Sequence, residues 1–312
     1  MESSCGRRHV LVTGASTGIG RATALRLAGD GFHVFATVRR IADGKALVLA
    51  AGRGCLDALT MDVLDRDLIQ DAARTVRRHT GGRGLDALVN NAGVGMFQPL
   101  ELVDLETFRR QLDVNVTGQL AVSQAFLPML RVASGRIVMI GSIGDRITVP
   151  FAGPTAAAKR ALLSLTEALR LELAPWGIKV ILIEPASIHT EAVGKLEKES
   201  TKALDDFGPE GHALYGETFR HVIERGLAQE RKGSPPDVVA AAVARAIRAP
   251  RPRARYLVGK DSRRLALIAK LPPVALDLLR RRLFGLPEPG SMTAQNGVLP
   301  SDGTRSYGVR PR

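Results

Sequence analysis

Thr13-Gly14-Ala15-Ser16-Thr17-Gly18-Ile19-Gly20 lies between a short apolar run, Val10 to Val12, and a stretch ending LRLAGDG whose apolar residues recur at helical spacing. A strand, a glycine turn and a helix in that order form a cradle for an anion. Glycines let the backbone come close to a pyrophosphate, while free N–H groups and the positive helix end point at it. A glycine pattern on its own is a weak signal. Its place in a strand–turn–helix unit makes it a strong one.

Outward from this turn the same alternation continues. HVFATVRR, CLDALTMDV, LDALVNNAG, GRIVMIGS and IKVILIEPA read as further short strands rich in Val, Ile and Leu. Helical patterns fall at 65–79, 104–131 and 154–174. Buried strands alternating with helices predict an α/β fold, a doubly wound parallel sheet with both faces covered. After Pro185 the pattern changes. Residues 191–233 are polar and strand-free and read as helical flaps over a pocket. PPDVVAAAVARAIRAP is a helix bracketed by prolines, ARYLVG a last strand, and RRLALIAKLPPVALDLLRRRLFG a basic amphipathic segment broken at Pro272–Pro273. The organisation expected is one domain over 1–285, with the flap at 191–233, the basic segment at 263–284, and a disordered tail over 286–312.

The bulk numbers narrow the function classes. The chain has 312 residues, 45% hydrophobic and 24% charged, the balance of a soluble globular protein. No apolar run reaches the ~18 residues of a membrane span, and the start does not read as a secretory signal. Two cysteines, Cys5 and Cys55, form no metal-ligand cluster, no metal is expected, and a reduced cytosolic setting is the simplest reading. The net charge is +13, and residues 251–312, with 13 Lys/Arg against 4 Asp/Glu, hold most of the excess. No nucleic-acid motif and no interleaving of aromatic with basic residues accompanies it, so no nucleic-acid partner is expected.

The T-G-x-x-x-G-I-G spacing, NNAG at Asn90 to Gly93, Asn115 in DVNVTG, Ser142 and Lys159 together resemble the short-chain dehydrogenase/reductase family. The likeness runs through about residues 8–190, with five motifs in order. FATVRR, GDRITVPFAGP and the PRARYLVGKDSRRLALIAKLPP segment look more closely like 17β-hydroxysteroid and retinol dehydrogenases. The family resemblance implies a Rossmann-type sheet of order 3-2-1-4-5-6-7 and a nicotinamide cofactor at its carboxyl edge. Gly14, Ser16, Gly18, Ile19, Gly20, Val63, Asn90, Gly93 and Lys159 fall at cofactor-binding positions. So do Pro185, Ile188 and Thr190, where Ala186 stands for the family's glycine and His189 is unusual.

The second strand decides between cofactors. An acidic residue at its end would bind the ribose hydroxyls of NAD, but the strand ends Thr37-Val38-Arg39-Arg40. Arg39, helped by Arg40, suits the 2′-phosphate of NADP(H). Asp62 matches the family position facing adenine, and also reads as a turn residue.

The resemblance implies catalysis by Asn115, Ser142, the residue at 155, and Lys159. The family holds a tyrosine at 155 as proton donor; this chain has Thr155, one helical turn from Lys159. A threonine hydroxyl is far less acidic than a phenol, whose pKa of ~10 a nearby cation can lower. It also stops short of the phenol's place. A water bonded to Thr155, Ser142 and Lys159 is one expected substitute, and Tyr215 in the flap a weaker one. The leading expectation is an NADP(H)-dependent oxidoreductase with a weakened proton-transfer site. The alternative is a non-catalytic NADP(H)-binding regulatory protein. The resemblance implies a hydrophobic carbonyl or alcohol of steroid or retinoid size, with Phe97, Phe151, Leu196, Leu214, Tyr215 and Phe219 as pocket or core. It also implies a homodimer or homotetramer. The basic C-terminal segment fits an anionic membrane surface, packing on the domain, or a dimer interface.

Overall fold

The computed structural model describes residues 8–291. Its strands are β1 (His9–Val12), β2 (His33–Val38), β3 (Leu56–Thr60), β4 (Ala87–Asn90), β5 (Arg136–Ile140), β6 (Lys179–Pro185) and β7 (Arg255–Val258). They form one parallel sheet in the order β3-β2-β1-β4-β5-β6-β7, as the resemblance implies. Side chains alternate faces along each strand, so β1 divides its residues. Val10 and Val12 enter one hydrophobic layer and Leu11 the other, while β2 likewise splits Val34 and Ala36 from Phe35. A strand buried on both faces must be apolar throughout, which is why these runs show no polar alternation.

The first layer is covered by α1 (Gly18–Gly29) and α10 (Asp237–Arg248), whose contacts are extensive. On the other face pack α3 (Arg66–Thr80), α5 (Gly118–Ala133) and α6 (Gly153–Glu172). Asp65 caps α3 by accepting from the backbone N–H of Asp67 and Leu68, a contact worth about 1 kcal/mol. The sequence reading assigns no helix to 41–51, yet α2 (Ile41–Ala51) is there. Its Gly44 obscures the pattern for a packing reason: a Cβ at that position would lie 2.9 Å from the Ala58 Cβ of β3.

The helix expected over 104–131 is two helices, α4 (Leu105–Leu112) and α5, joined by a π-helical turn at Asp113–Thr117. Such turns interrupt the regular ladder and are frequent at functional sites. Asn115 lies within this one. The flap comprises α7 (Glu191–Asp205), α8 (Gly208–Gly211), a second π-helical turn at His212–Gly216, and α9 (Glu217–Arg231). It has its own small core of Val193, Phe207, Phe219, Ile223 and Leu227. The basic segment forms α11 (Ser262–Ile268) and α12 (Pro273–Phe284), broken where the prolines predict. Of the tail expected to be disordered, residues 292–312 lie outside the described residues. No helix among the described residues is long and apolar enough to cross a membrane.

Candidate active site

The glycine turn emerges from the carboxyl end of β1 and is tied to the end of β4. Thr13 Oγ1 accepts from the backbone N–H of Asn91 (2.9 Å) and Ala92 (3.0 Å). The Asn91 amide donates back to the carbonyls of Thr13 (2.9 Å) and Gly14 (3.1 Å). Gly14 (φ +63°) and Gly18 (φ +55°) have left-handed backbones. A Cβ on Gly20 would fall 2.3 Å from the Gly14 carbonyl and 2.4 Å from Asn91 Nδ2. Positions 14, 18 and 20 therefore favour glycine, and the turn's shape fits a dinucleotide's pyrophosphate. Asn91, which the sequence reading did not single out, holds this shape. Asn90, which it did, has a fully buried side chain whose amide donates to Ser123 Oγ (2.8 Å) and braces α5. Ser16 and Ile19 are half-buried in the turn.

At the end of β2, Arg39 and Asp62 line one cleft of about 590 Å³, together with Thr60, Leu64 and the first residues of α3. Arg40 turns aside, holding Asp43 through two hydrogen bonds of 2.9 and 2.8 Å. Arg39 has no ion-pair partner among the described residues. Asp62 Oδ1 accepts from the Leu64 N–H (3.0 Å), so the turn role expected of it is real. Val63 is buried beneath.

The segment after β6 closes on the glycine turn. A Cβ on Gly18 would lie 3.3 Å from the Thr190 Cβ, and Thr190 Oγ1 accepts from the Ala192 N–H. Glu191 Oε2 accepts from the Gly18 N–H at 3.0 Å. A carboxylate thus sits at the first N–H of α1, the place the sequence reading reserves for phosphate. The Ile188 N–H donates to Glu230 Oε2 (3.2 Å), and burial holds the Glu230 carboxyl above its ordinary range.

Three of the four catalytic candidates, Asn115, Thr155 and Lys159, meet the loop after β4, and Ser142 follows the end of β5. Asn115 Nδ2 donates to the carbonyls of Val94 and Gln111 (2.9 Å each), and its Oδ1 accepts from the Val94 N–H (3.2 Å). A Cβ on Gly93 would lie 2.8 Å from Asn115 Oδ1 and 3.8 Å from Lys159 Nζ. Lys159 Nζ donates to the Ile140 carbonyl (3.0 Å) at the end of β5. Desolvation lowers its pKa to about 8, with Asp145 pulling the other way. Ser142 Oγ accepts from the Gly144 N–H (3.0 Å), which leaves its own proton to donate.

Thr155 behaves differently. Its Oγ1 accepts from the Met96 N–H (2.8 Å) and donates to the Met96 carbonyl (3.0 Å). The single hydroxyl proton is spent on the loop, so a water there would receive no hydrogen bond from Thr155. Tyr215 is no substitute: its hydroxyl donates to Glu101, which pushes its pKa up to about 12. Phe219 is buried in the flap core beside Phe207, while Phe97, Phe151, Leu196, Leu214 and Tyr215 are half-buried.

Beneath the site lies a group of charges that the sequence reading missed. Glu184, fully buried in β6, accepts two hydrogen bonds each from Arg146 (2.6 and 3.1 Å) and Arg255 (2.8 and 2.7 Å). Asp145 is buried beside it without a conventional hydrogen bond to either oxygen. Desolvation and then the Glu184 charge raise its pKa to about 7. These residues come from three separated segments, so no local motif announces them.

Comparison with known proteins agrees with this architecture. A model of the short chain dehydrogenase family matches residues 8–201. The chain is 32% identical over 256 residues to an NADPH-dependent 3-dehydrocapnine reductase of Ornithobacterium rhinotracheale, covering 80% of this chain and 88% of that protein. It is 37% identical over 261 residues to human 17-beta-hydroxysteroid dehydrogenase type 1, covering 80% and 77%. Among solved structures, a short-chain dehydrogenase from Streptomyces avermitilis superposes with a TM-score of 0.69 at 29% identity, over 90% of this chain and 96% of that one. A 3-ketoacyl-(acyl-carrier-protein) reductase from Brucella melitensis complexed with NADH gives 0.63 at 26% identity, over 78% and 91%. The chain is an oxidoreductase that belongs to the short-chain dehydrogenase/reductase family.

Proposed function

We propose that this protein is an NADP(H)-dependent oxidoreductase for a hydrophobic carbonyl or alcohol of steroid or retinoid size, with a weakened proton-transfer step. The observation that carries this reading is the Thr155 hydroxyl, bonded on both sides to Met96 among otherwise present partners. A bound nicotinamide supplies or accepts hydride. The chain's part is to bind, orient and manage the proton. The cradle from Gly14 to Gly20 receives the pyrophosphate, and unpaired Arg39 receives the 2′-phosphate. Ser142 donates to the substrate oxygen, and the Lys159 ammonium is the nearby cation. Loss of a positioned acid costs ~10²–10⁴ in rate, and slow turnover remains. Support for NADP(H) comes also from the NADPH-dependent relative, and support for the substrate class from the steroid dehydrogenase relatives.

A second reading, a regulatory NADP(H)-binding protein without turnover, is favoured by the same saturated Thr155. The variant Thr155→Tyr separates them, assayed with NADPH and a panel of lipophilic ketones and retinals. A gain of a hundredfold or more supports the enzyme. Tight NADPH binding with no turnover in the variant supports the regulator.

The same reading extends to the surface. Leu267, Leu271, Val274 and Leu278 are exposed along α11, α12 and the turn between them, among Arg263, Arg264, Lys270 and Arg282, a composition suited to an anionic membrane surface. Replacing Leu267, Val274 and Leu278 by serine should abolish pelleting with phosphatidylserine vesicles; unchanged pelleting defeats the idea. A homodimer or homotetramer through α4, α5 and α6 is the proposed assembly, read out by sedimentation.

A further inference from the structure

The amino edge of the sheet, opposite the cofactor edge, carries three histidines and an aspartate that the proposed chemistry does not use. Strand register explains their meeting. His9 pairs with His33 across β1 and β2, and Phe35 pairs with Asp57 across β2 and β3. Paired residues share a face, as do residues two apart on one strand, so His9, His33, Phe35 and Asp57 all project towards α3. The last turn of α3 then lays His79 on the same spot.

His33 Nε2 lies 2.8 Å from Asp57 Oδ2, and His79 Nε2 lies 3.5 Å from the same oxygen. Donor atoms of the three residues all fall within 4.8 Å of one another. Bonds of about 2.0–2.2 Å from a tetrahedral zinc ion to nitrogen and oxygen place its ligand atoms roughly 3.3–3.5 Å apart. The cluster therefore needs shifts of an ångström or so, which half-exposed His79 and Asp57 can make. The rings are already oriented: His33 stacks on Phe35 at 4.7 Å between centroids, and His79 meets Phe35 edge-on at 5.6 Å. Asp57 Oδ2 faces a ring nitrogen of each histidine, so one carboxylate oxygen lies between the two imidazoles.

A second observation points the same way. His33 Nδ1 and His9 Nε2 are both buried with no hydrogen-bond partner among the described residues. A ligating histidine usually gives its other ring N–H to an acceptor, which fixes its tautomer. The His9 and His33 rings are neighbours, 5.6 Å apart between centroids. A neutral imidazole with its proton on Nδ1 offers Nε2 as an acceptor, so the His9 Nε2 suits that role. Metal at His33 Nε2 puts the ring proton on Nδ1, where His9 receives it. One ion would thus resolve both orphaned nitrogens.

We infer that His33, Asp57 and His79 form a binding site for a divalent transition metal such as zinc, with His9 orienting His33 and water completing the coordination. Two imidazoles and a carboxylate suit zinc, nickel or copper over calcium or magnesium. The site joins β2, β3 and α3 and is structural. The absence of a metal expected from the two cysteines does not bear on this cluster, whose residues stand 24 and 22 positions apart, far from any compact ligand spacing.

The test is calorimetric titration of the chelator-treated full chain with zinc chloride, alongside His79→Ala and Asp57→Asn. Expected is one equivalent bound by the parent chain, affinity lower by tenfold or more in each variant, and a thermal midpoint raised by zinc in the parent alone. No binding, or binding unchanged in both variants, overturns the proposal. If a variant fails to fold, the parent chain is read with cobalt(II) in its place. Visible d–d bands of a low-symmetry site together with broadening of the His33 and His79 ring signals support it, and broadening confined to other histidines overturns it.

Discussion

The Thr155 hydroxyl closes both hydrogen-bonding groups of the Met96 backbone, at 2.8 Å from its N–H and 3.0 Å from its carbonyl. The residue in the proton-donor position of α6 thereby clamps the loop that follows β4. Thr155→Val keeps the shape and removes both bonds, at a cost of about 1–3 kcal/mol, because two partly buried backbone groups lose their partner. Urea denaturation checks this. Thr155→Ser should retain most of the stability.

Arg39 and Arg40 stand side by side with different commitments, since only Arg40 is paired, with Asp43. Arg39→Ala should weaken NADPH binding by 10- to 100-fold and leave NADH nearly unchanged, as expected for losing charge-assisted bonds of about 1.5–3 kcal/mol. Arg40→Ala should change neither by more than about threefold. Fluorescence titration with both nucleotides decides it. Equal losses for NADPH and NADH would remove the basis for NADP(H).

Glu191 occupies the Gly18 N–H that phosphate would take. An incoming pyrophosphate must displace this carboxylate and escape its charge. Glu191→Gln should therefore tighten NADPH binding several-fold, by roughly 1 kcal/mol, with the larger gain at low salt.

Reduction of a carbonyl consumes a proton, and Lys159 is the cation of the site with a pKa lowered to about 8. Its ammonium is present below that pH and lost above it. The reductive rate should fall as pH rises through about 8, and the oxidative rate should rise. Lys159→Met should flatten both profiles, in steady-state assays run from pH 6 to 10.

Asp145 has a folded pKa of about 7, above its ordinary 3.8. A carboxyl raised on folding adds stability below 3.8, and that stability is lost as pH rises through 7. Asp145→Asn should therefore stabilise the protein at pH 8 by about 1–3 kcal/mol relative to its effect at pH 5, because it removes a buried charge beside Glu184. Denaturation midpoints at the two pH values test this.

The amino-acid sequence alone determined the sheet, the glycine cradle and the threonine at 155. These features are written locally: apolar runs of strand length, glycines at fixed spacing, a residue four positions before a lysine. α2 and the π-helical break at Asn115 were not legible, because Gly44 serves a contact across the layer and the break serves the loop at Val94. Tertiary structure decided what each side chain is free to do. Arg40 is bound to Asp43 while Arg39 lines the cleft, and Asn91 shapes the cradle while Asn90 braces α5. The Thr155 proton goes to Met96 because folding brings that loop, 59 residues distant, against α6. Burial and partnership are properties of the packed chain. They govern acidity and hydrogen bonding, so residue identity names the candidates and packing assigns their roles.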